Sequence, residues 1–162
     1  MTAVPDPKRE ILRHTVATLA YRGGKAIRGA PEFFAEYRCG KDVRRPIDIL
    51  SHICDVLDWG LSMADGRNQW KQTEPSLWEA QVERFFIALK AFDDYLASNE
   101  LLHAPVEKLF QGPVADVLTH IGQIAMLRRM AGAPIRAENY FVAEVTAGHV
   151  GAQQATPKRE FD

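Results

Sequence analysis

Asp116 and His120 stand four residues apart in the stretch GPVADVLTHIGQIAMLRRM, residues 112–130. At about 100° per residue on a helix, Asp116, His120, Gln123 and Leu127 share one narrow sector, with Ile124 and Ala131 beside it. The pattern therefore predicts that this row looks into the protein. A buried carboxylate and imidazole cost free energy unless something answers them. One answer is a divalent metal, because ligands at i and i+4 project together from a helix, as in the metalloprotease helix signature. The other is that Asp116 accepts a hydrogen bond from a core His120. A further imidazole, His52, lies in ILSHICDVLDW, and Asp48 with His52 repeats the D-x-x-x-H spacing. Asp48 also belongs to a row with Ser51, Asp55, Asp58 and Ser62 that reads as a solvated face. His14 reads as a surface residue, and His103 and His149 have no visible partner.

The elements that must position these residues are helices. Asp6 as N-cap and Pro7 at the first helical position open a helix that ends near Arg28. Its stripe is Leu12, Val16, Leu19, Gly23, Ala26 and Ile27, and Gly23 and Gly24 allow close approach of a neighbour. PEFFAEY reads as a short turn whose Phe33, Phe34 and Tyr37 cap one end of the core. Pro46 opens a second helix that ends at Gly66. Ser76 with Glu79 offers a capping box for a third, along which Trp78, Val82, Phe85, Leu89, Phe92 and Leu96 recur at bundle-seam spacing. ELLHAPVEKLFQ reads as a long link. A fourth helix is expected from about Pro113 to Ala131, with Gly132 and Pro134 as stop signals. From about residue 135 to 162 the chain has no helical period and reads as an extended tail laid over the bundle, anchored by Tyr140, Phe141 and Val145. No strand pattern stands out. The expectation is an all-α four-helix bundle forming a single domain over residues 1–162.

In an alternating up-and-down bundle, helices 2 and 4 run parallel. His52 is six residues past Pro46, and Asp116 and His120 are three and seven past Pro113, so all three fall at one height near one end. Two histidines and a carboxylate make the facial set that suits Fe(II), Ni(II), Mn(II) or Zn(II), with positions left for water or substrate. Gln123 on the same face is placed to orient a ligand or water, and Asp55 or Asp48 to hold His52 from behind.

The totals set bounds on function. The 162 residues are 46% apolar and 25% charged, the composition of a soluble globular domain. A net charge of −1 and the lack of a basic stripe argue against nucleic acid and anionic membrane as partners. The start, MTAVPDPKRE, lacks the apolar core of a signal peptide, and no apolar run is long enough to span a bilayer. The expected compartment is the cytoplasm, where Cys39 and Cys54, with no CxxC spacing, read as free thiols.

The histidine of ILSHICDVLDW, followed by the ligand-spaced helix DVLTHIGQIAMLRRMAG with its HxGQ element, resembles the DinB/YfiT-like superfamily of metal-binding four-helix bundles. The resemblance runs from about Arg9 to Pro134. It implies a metal held by one histidine of helix 2 and an H-x-x-x-H pair of helix 4, which fall on His52, Asp116 and His120. This chain carries an aspartate where the family has the first histidine of that pair. The substitution shifts metal preference toward harder ions or ends metal binding. Superfamily members include thiol-dependent S-transferases and hydrolases. The resemblance thus implies an enzyme acting on a small molecule, with a low-molecular-weight thiol as possible cosubstrate. The competing expectation is a non-catalytic homodimeric bundle with a vestigial site, using apolar surface of helix 2.

Overall fold

The computed structural model describes residues 6–161; the five residues at the start, on which part of the no-leader expectation rests, and Asp162 at the end of the tail lie outside the described residues. Helix α1 spans Pro7–Ile27, and Asp6 caps it by accepting the Lys8 backbone N–H at 2.9 Å. A 3-10 turn follows at Glu32–Glu36, in which Phe34 is fully buried while Phe33 faces solvent and Tyr37 packs partly on the core. Helix α2 spans Pro46–Ala64, and Gly66 just past its end adopts φ 84°, the left-handed conformation that stops a helix. Helix α3 spans Trp78–Ala97. The last long helical run has three parts: α4 at Val106–Leu109, a π-helical segment at Phe110–Val114, and α5 at Ala115–Met130.

The fourth helix of the bundle thus begins at Val106, inside what the sequence suggests is a link. Pro113 is not its first residue. Proline lacks an N–H and its ring crowds the carbonyl one turn back, which normally breaks a helix. Here the run widens to a π turn around Pro113 and continues.

The helix order is not alternating up and down. Cys54 approaches Gln81, Asp55 and Asp58 reach Arg84, and Gly60 lies against Phe92, so α2 and α3 run parallel. Ala64 meets His103 and Gly60 meets Pro113, whereas His52 meets Asp116 and His120, so α2 and the α4–α5 run are antiparallel. Arg13 pairs with Asp93 and Gly23 touches Phe85, which sets α1 antiparallel to α3. Each of α1 and α2 packs on both α3 and α5, and the buried core fills the space between them.

Parallel α2 and α3 require a connector that returns the length of α2, and the row of small and acidic residues on α2 holds it. The Ser62 hydroxyl donates to Gln69 O and accepts from Gln69 N–H, Ser51 donates to Thr73 O, and Asp55 accepts from Thr73 N–H at 3.0 Å. Arg84 of α3 closes the arrangement with 2.7 Å to Asp55. Ser51, Asp55 and Ser62 are buried rather than forming a wet face. Most apolar residues of α2, the helix expected to offer surface for a dimer, lie inside the bundle, while Trp59, Leu61 and Met63 are partly exposed. The expected capping box at Ser76 and Glu79 does not form; Leu77 is the N-cap of α3, and Ser76 instead accepts a hydrogen bond from Gln81. Of the expected seam, Phe85, Leu89, Phe92 and Leu96 are buried, and Trp78 and Val82 partly so.

The tail lies over the bundle and returns on itself through a two-residue antiparallel pairing of β1 (Ala137–Glu138) with β2 (Glu160–Phe161). Its anchor is polar as much as apolar: Glu138, with a fully buried side chain, accepts from Tyr21 Oη and Lys25 Nζ of α1. Val150 is the buried apolar residue of the described part of the tail, Tyr140 sits edge-on to Tyr21 under Arg22, and Val145 packs partly against the core. Phe141 is 96% exposed and anchors nothing.

Two close approaches set helix crossings, the second of them between the helices that carry the site. A Cβ at Gly23 would stand 2.5 Å from the Phe85 ring, and one at Gly60 would stand 2.9 Å from Pro113 Cβ. The proline ring is tied to its backbone and cannot rotate away. Gly60→Val is therefore expected to overpack the α2–α5 crossing and cost about 2–3 kcal/mol, a fall in Tm of roughly 5–10 °C for a domain of this size. Thermal unfolding followed by circular dichroism reads this directly, and an unchanged Tm would show that the crossing is loose.

Candidate metal centre

The site forms where the first half of α5 crosses the first half of α2. On α5 the side buried in the bundle is Val117, Ile121, Ile124 and Leu127. Asp116, His120 and Gln123 lie at the edge of that side, not within it: the side chains of Asp116 and His120 are 48% and 13% exposed, and Gln123 faces solvent. The expectation that the row points into the core is corrected accordingly. Its apolar appearance in projection comes from Leu127, Ile124 and Ala131.

His52 projects from α2 toward this edge. One ligand atom from each of His52, Asp116 and His120 lies within 4.8 Å of the others. His52 Nε2 is 3.8 Å from one oxygen of Asp116, and His120 Nε2 is 3.4 Å from the other. The two imidazole rings meet edge-to-face at 4.7 Å and 89°. With bonds of about 2.0–2.2 Å to a central ion, neighbouring donors stand about 3.0–3.4 Å apart. The two contacts of Asp116 lie within about 1 Å of such spacings, and the half-exposed Asp116 side chain is free to shorten them, while His52 must move toward His120 for all three to share one ion.

The hydrogen bonds decide between the two answers to the Asp116–His120 pair. His120 Nδ1 lies 2.8 Å from Gln123 Oε1. An amide oxygen can only accept, so the proton sits on Nδ1 and the Nε2 lone pair faces the Asp116 carboxylate. The alternative, in which Asp116 accepts a hydrogen bond from His120, is not formed. Among the described residues neither the Asp116 carboxylate nor the His52 ring has a hydrogen-bond partner. Three potential electron-pair donors thus converge without hydrogen bonds to one another, an arrangement that a cation would complete.

The surrounding groups keep His52 in its neutral, ligating form. Partial burial pushes its pKa down, and the nearby His120 and Arg44 add to the effect, against the pull of Asp116 and Asp55. Because the folded-state value lies below the ordinary 6.5, protonation of His52 opposes folding, and metal must compete with that proton only at low pH. Cobalt(II) affinity is therefore expected to be flat from pH 8 to 7 and to fall as pH drops below the ordinary histidine range of about 6.5. Titrations at several pH values, read by visible absorption, check this; a rise in affinity on acidification would be incompatible with His52 as ligand.

The expected supports behind His52 are engaged elsewhere. Asp48 binds the Arg45 guanidinium at 2.6 and 2.8 Å, and Asp55 holds Thr73 and Arg84. The residue that does orient a ligand is Gln123, acting on His120. Against the outer side of His52 stands Trp70, 6.0 Å away by ring centroids, with Trp59 next to it at 6.3 Å. Trp70 comes from the connector, where a lone large aromatic in the polar run RNQWKQTE was the available sign of a packing role. His14, His103 and His149 are exposed and lie outside the cluster. Cys39 and Cys54 are free thiols, and burial pushes Cys54 up to about 12, which makes it inert at neutral pH. Among the described residues no helix is long and apolar enough to cross a membrane. No family model, curated protein or solved structure matches the chain.

Proposed function

We propose that this protein is a metal-dependent enzyme of DinB-like type that acts on a small molecule, with one divalent ion held by His52, Asp116 and His120. The observation that carries the reading is the convergence of three donor groups that leave one another without hydrogen bonds. Two imidazoles and one carboxylate suit Zn, Ni, Fe or Mn, and a three-ligand set leaves coordination positions open. Bound there, the ion supplies the Lewis acidity that lowers the pKa of a water or a small thiol for attack on the substrate. The chain's own residues do the rest. Gln123 fixes the tautomer and ring orientation of His120, the role expected of an outer-shell partner. Trp70 and Trp59 wall the outer side of His52, and the exposed side of Asp116 leaves a path for a small reactant.

Elemental analysis of protein purified without a histidine tag tests the reading. One equivalent of a first-row metal is expected, replaceable by cobalt(II) with visible absorption. Substoichiometric metal with no cobalt spectrum would overturn the metal centre and with it the enzyme. Screening of the loaded protein for transfer of a thiol to an electrophile, against ester or amide hydrolysis, then separates transferase from hydrolase.

A further inference from the structure

Two cavities open on either side of the ligand cluster, and they share one charged residue. The first, of about 340 Å³, is bounded by His52, Trp70 and Thr73, and the second, of about 520 Å³, by His120, Gln123 and an apolar wall. Arg44, in the turn that leads into α2, borders both. Its neighbour Arg45 is engaged by Glu36 and Asp48, but among the described residues Arg44 has no carboxylate partner. The inner acidic residues of the first cavity are committed: Asp48 to Arg45, and Asp55 to Arg84 and Thr73. The acids that remain, Glu74 at the first cavity and Asp42 at the second, are exposed, as is Arg44 itself at the rim the two cavities share.

The wall of the larger cavity is apolar and incompletely covered. Val43, Ile49, Met126, Leu127 and Met130 line it, and Met126 and Met130 are 58% and 54% exposed. Methionine adapts its shape to the apolar group it meets, and large apolar side chains on a cavity wall gain from covering. A guanidinium free of internal partners next to such a wall is suited to a planar oxyanion. A divalent ion on a single carboxylate ligand would leave a net positive charge at the same place, again favouring an anion.

We propose that the substrate is a small monocarboxylate with an apolar body, its carboxylate bound by Arg44 and its body in the Met126–Met130 cavity beside His120. The assignment to a reaction rests on the metal-centre reading, but the binding contacts do not need the ion. Arg44 is a specificity residue in this scheme: it selects for charge at one end, and the wall selects for an apolar chain at the other.

Octanoate, octanamide and acetate are the probes, titrated calorimetrically into the full chain as purified and again after EDTA treatment. Octanoate is expected to bind about tenfold or more tightly than the isosteric octanamide, and acetate not measurably. Arg44→Gln is expected to bring octanoate down to the octanamide level while leaving octanamide binding unchanged, which also shows that the variant is folded. Met126→Asp is expected to weaken both eight-carbon probes. Equal binding of octanoate and octanamide to the parent protein, no binding of either, or an octanoate preference that survives Arg44→Gln would each overturn the proposal. The EDTA-treated arm removes direct ligation of the carboxylate by metal, so a negative result there counts against Arg44 alone. Absence of metal in the elemental analysis counts against the metal centre alone.

Discussion

Alanine at His120 or at His52 is expected to lower metal affinity by more than 100-fold and to abolish the cobalt(II) absorption. Each substitution leaves two donors, one of them the half-exposed Asp116, and a two-donor surface site does not hold a first-row ion at micromolar concentration. The scale follows from the effect of outer-shell partners, whose loss alone costs about 10–100-fold. That smaller loss is the expectation for Gln123→Leu, which keeps all three ligands but frees the His120 ring from its 2.8 Å contact. Asp116→His, which restores the three-histidine set of the resembled family, is expected to retain metal, whereas Asp116→Ala is not. His14→Ala provides the control, since His14 is exposed on α1 and outside the cluster. Because His52 and His120 sit at the edge of the bundle, their alanine variants should keep the helical circular dichroism of the parent. Competition titration against a chromogenic chelator measures all six, and equal affinity in His14→Ala and His120→Ala would remove the site.

Arg128→Met is expected to cost about 2–4 kcal/mol of stability and to lower Tm by roughly 5–15 °C. Arg128 is 6% exposed and among the described residues has no carboxylate partner. Its guanidinium instead donates to Ala133 O at 2.7 Å and to Ala26 O and Arg28 O at 3.1 and 3.0 Å, with Gly29 O at 3.5 Å. These carbonyls belong to the end of α1 and to the turn after α5, where helix geometry leaves acceptors unpaired and the dipole favours a cation. One planar fork therefore ties the C-termini of two parallel helices. Methionine matches the stem but strands the carbonyls. Lysine, a point charge on a flexible stem, is expected to recover only part of the loss. Chemical denaturation gives the values, and a change below about 0.5 kcal/mol, the usual range for surface substitutions, would show that water satisfies the carbonyls.

Local chemistry made some features legible in the chain. Asp6 followed by Pro7, and Pro46 with Gly66, are signals that act within a few residues, and the helix ends they mark are where expected. The seam Phe85, Leu89, Phe92 and Leu96 was readable for the same reason, since spacing along one helix determines one face. Pro113 misled because its local meaning is ambiguous. Proline opens helices when its missing N–H has no partner to lose, and it is tolerated in a widened turn when the flanking segments are held by packing, here against Gly60. Ser51, Asp55 and Ser62 misled because a polar row on a helix looks the same whether water or a returning connector answers it.

The meeting of His52 with Asp116 and His120 was reached from a helix order that the fold does not have. Alternation along the chain predicts parallel helices 2 and 4, with the fourth starting at Pro113. In the fold the two are antiparallel and the fourth starts at Val106, and the crossing of α2 with α5 falls where His52 stands beside Asp116 and His120. Residue types and the i, i+4 spacing by themselves determined that Asp116 and His120 project together and that His52 was available to join them. Tertiary structure alone decided that the three do meet, that they stand at the edge of the bundle, that Gln123 serves His120, and that Arg44 and Trp70 border the site. The physical reason is range: spacing, caps and periodicity act over one or two turns of chain. The direction in which α3 and the last helix run depends on where the connector after α2 finds hydrogen-bond partners, and those lie a full helix length away.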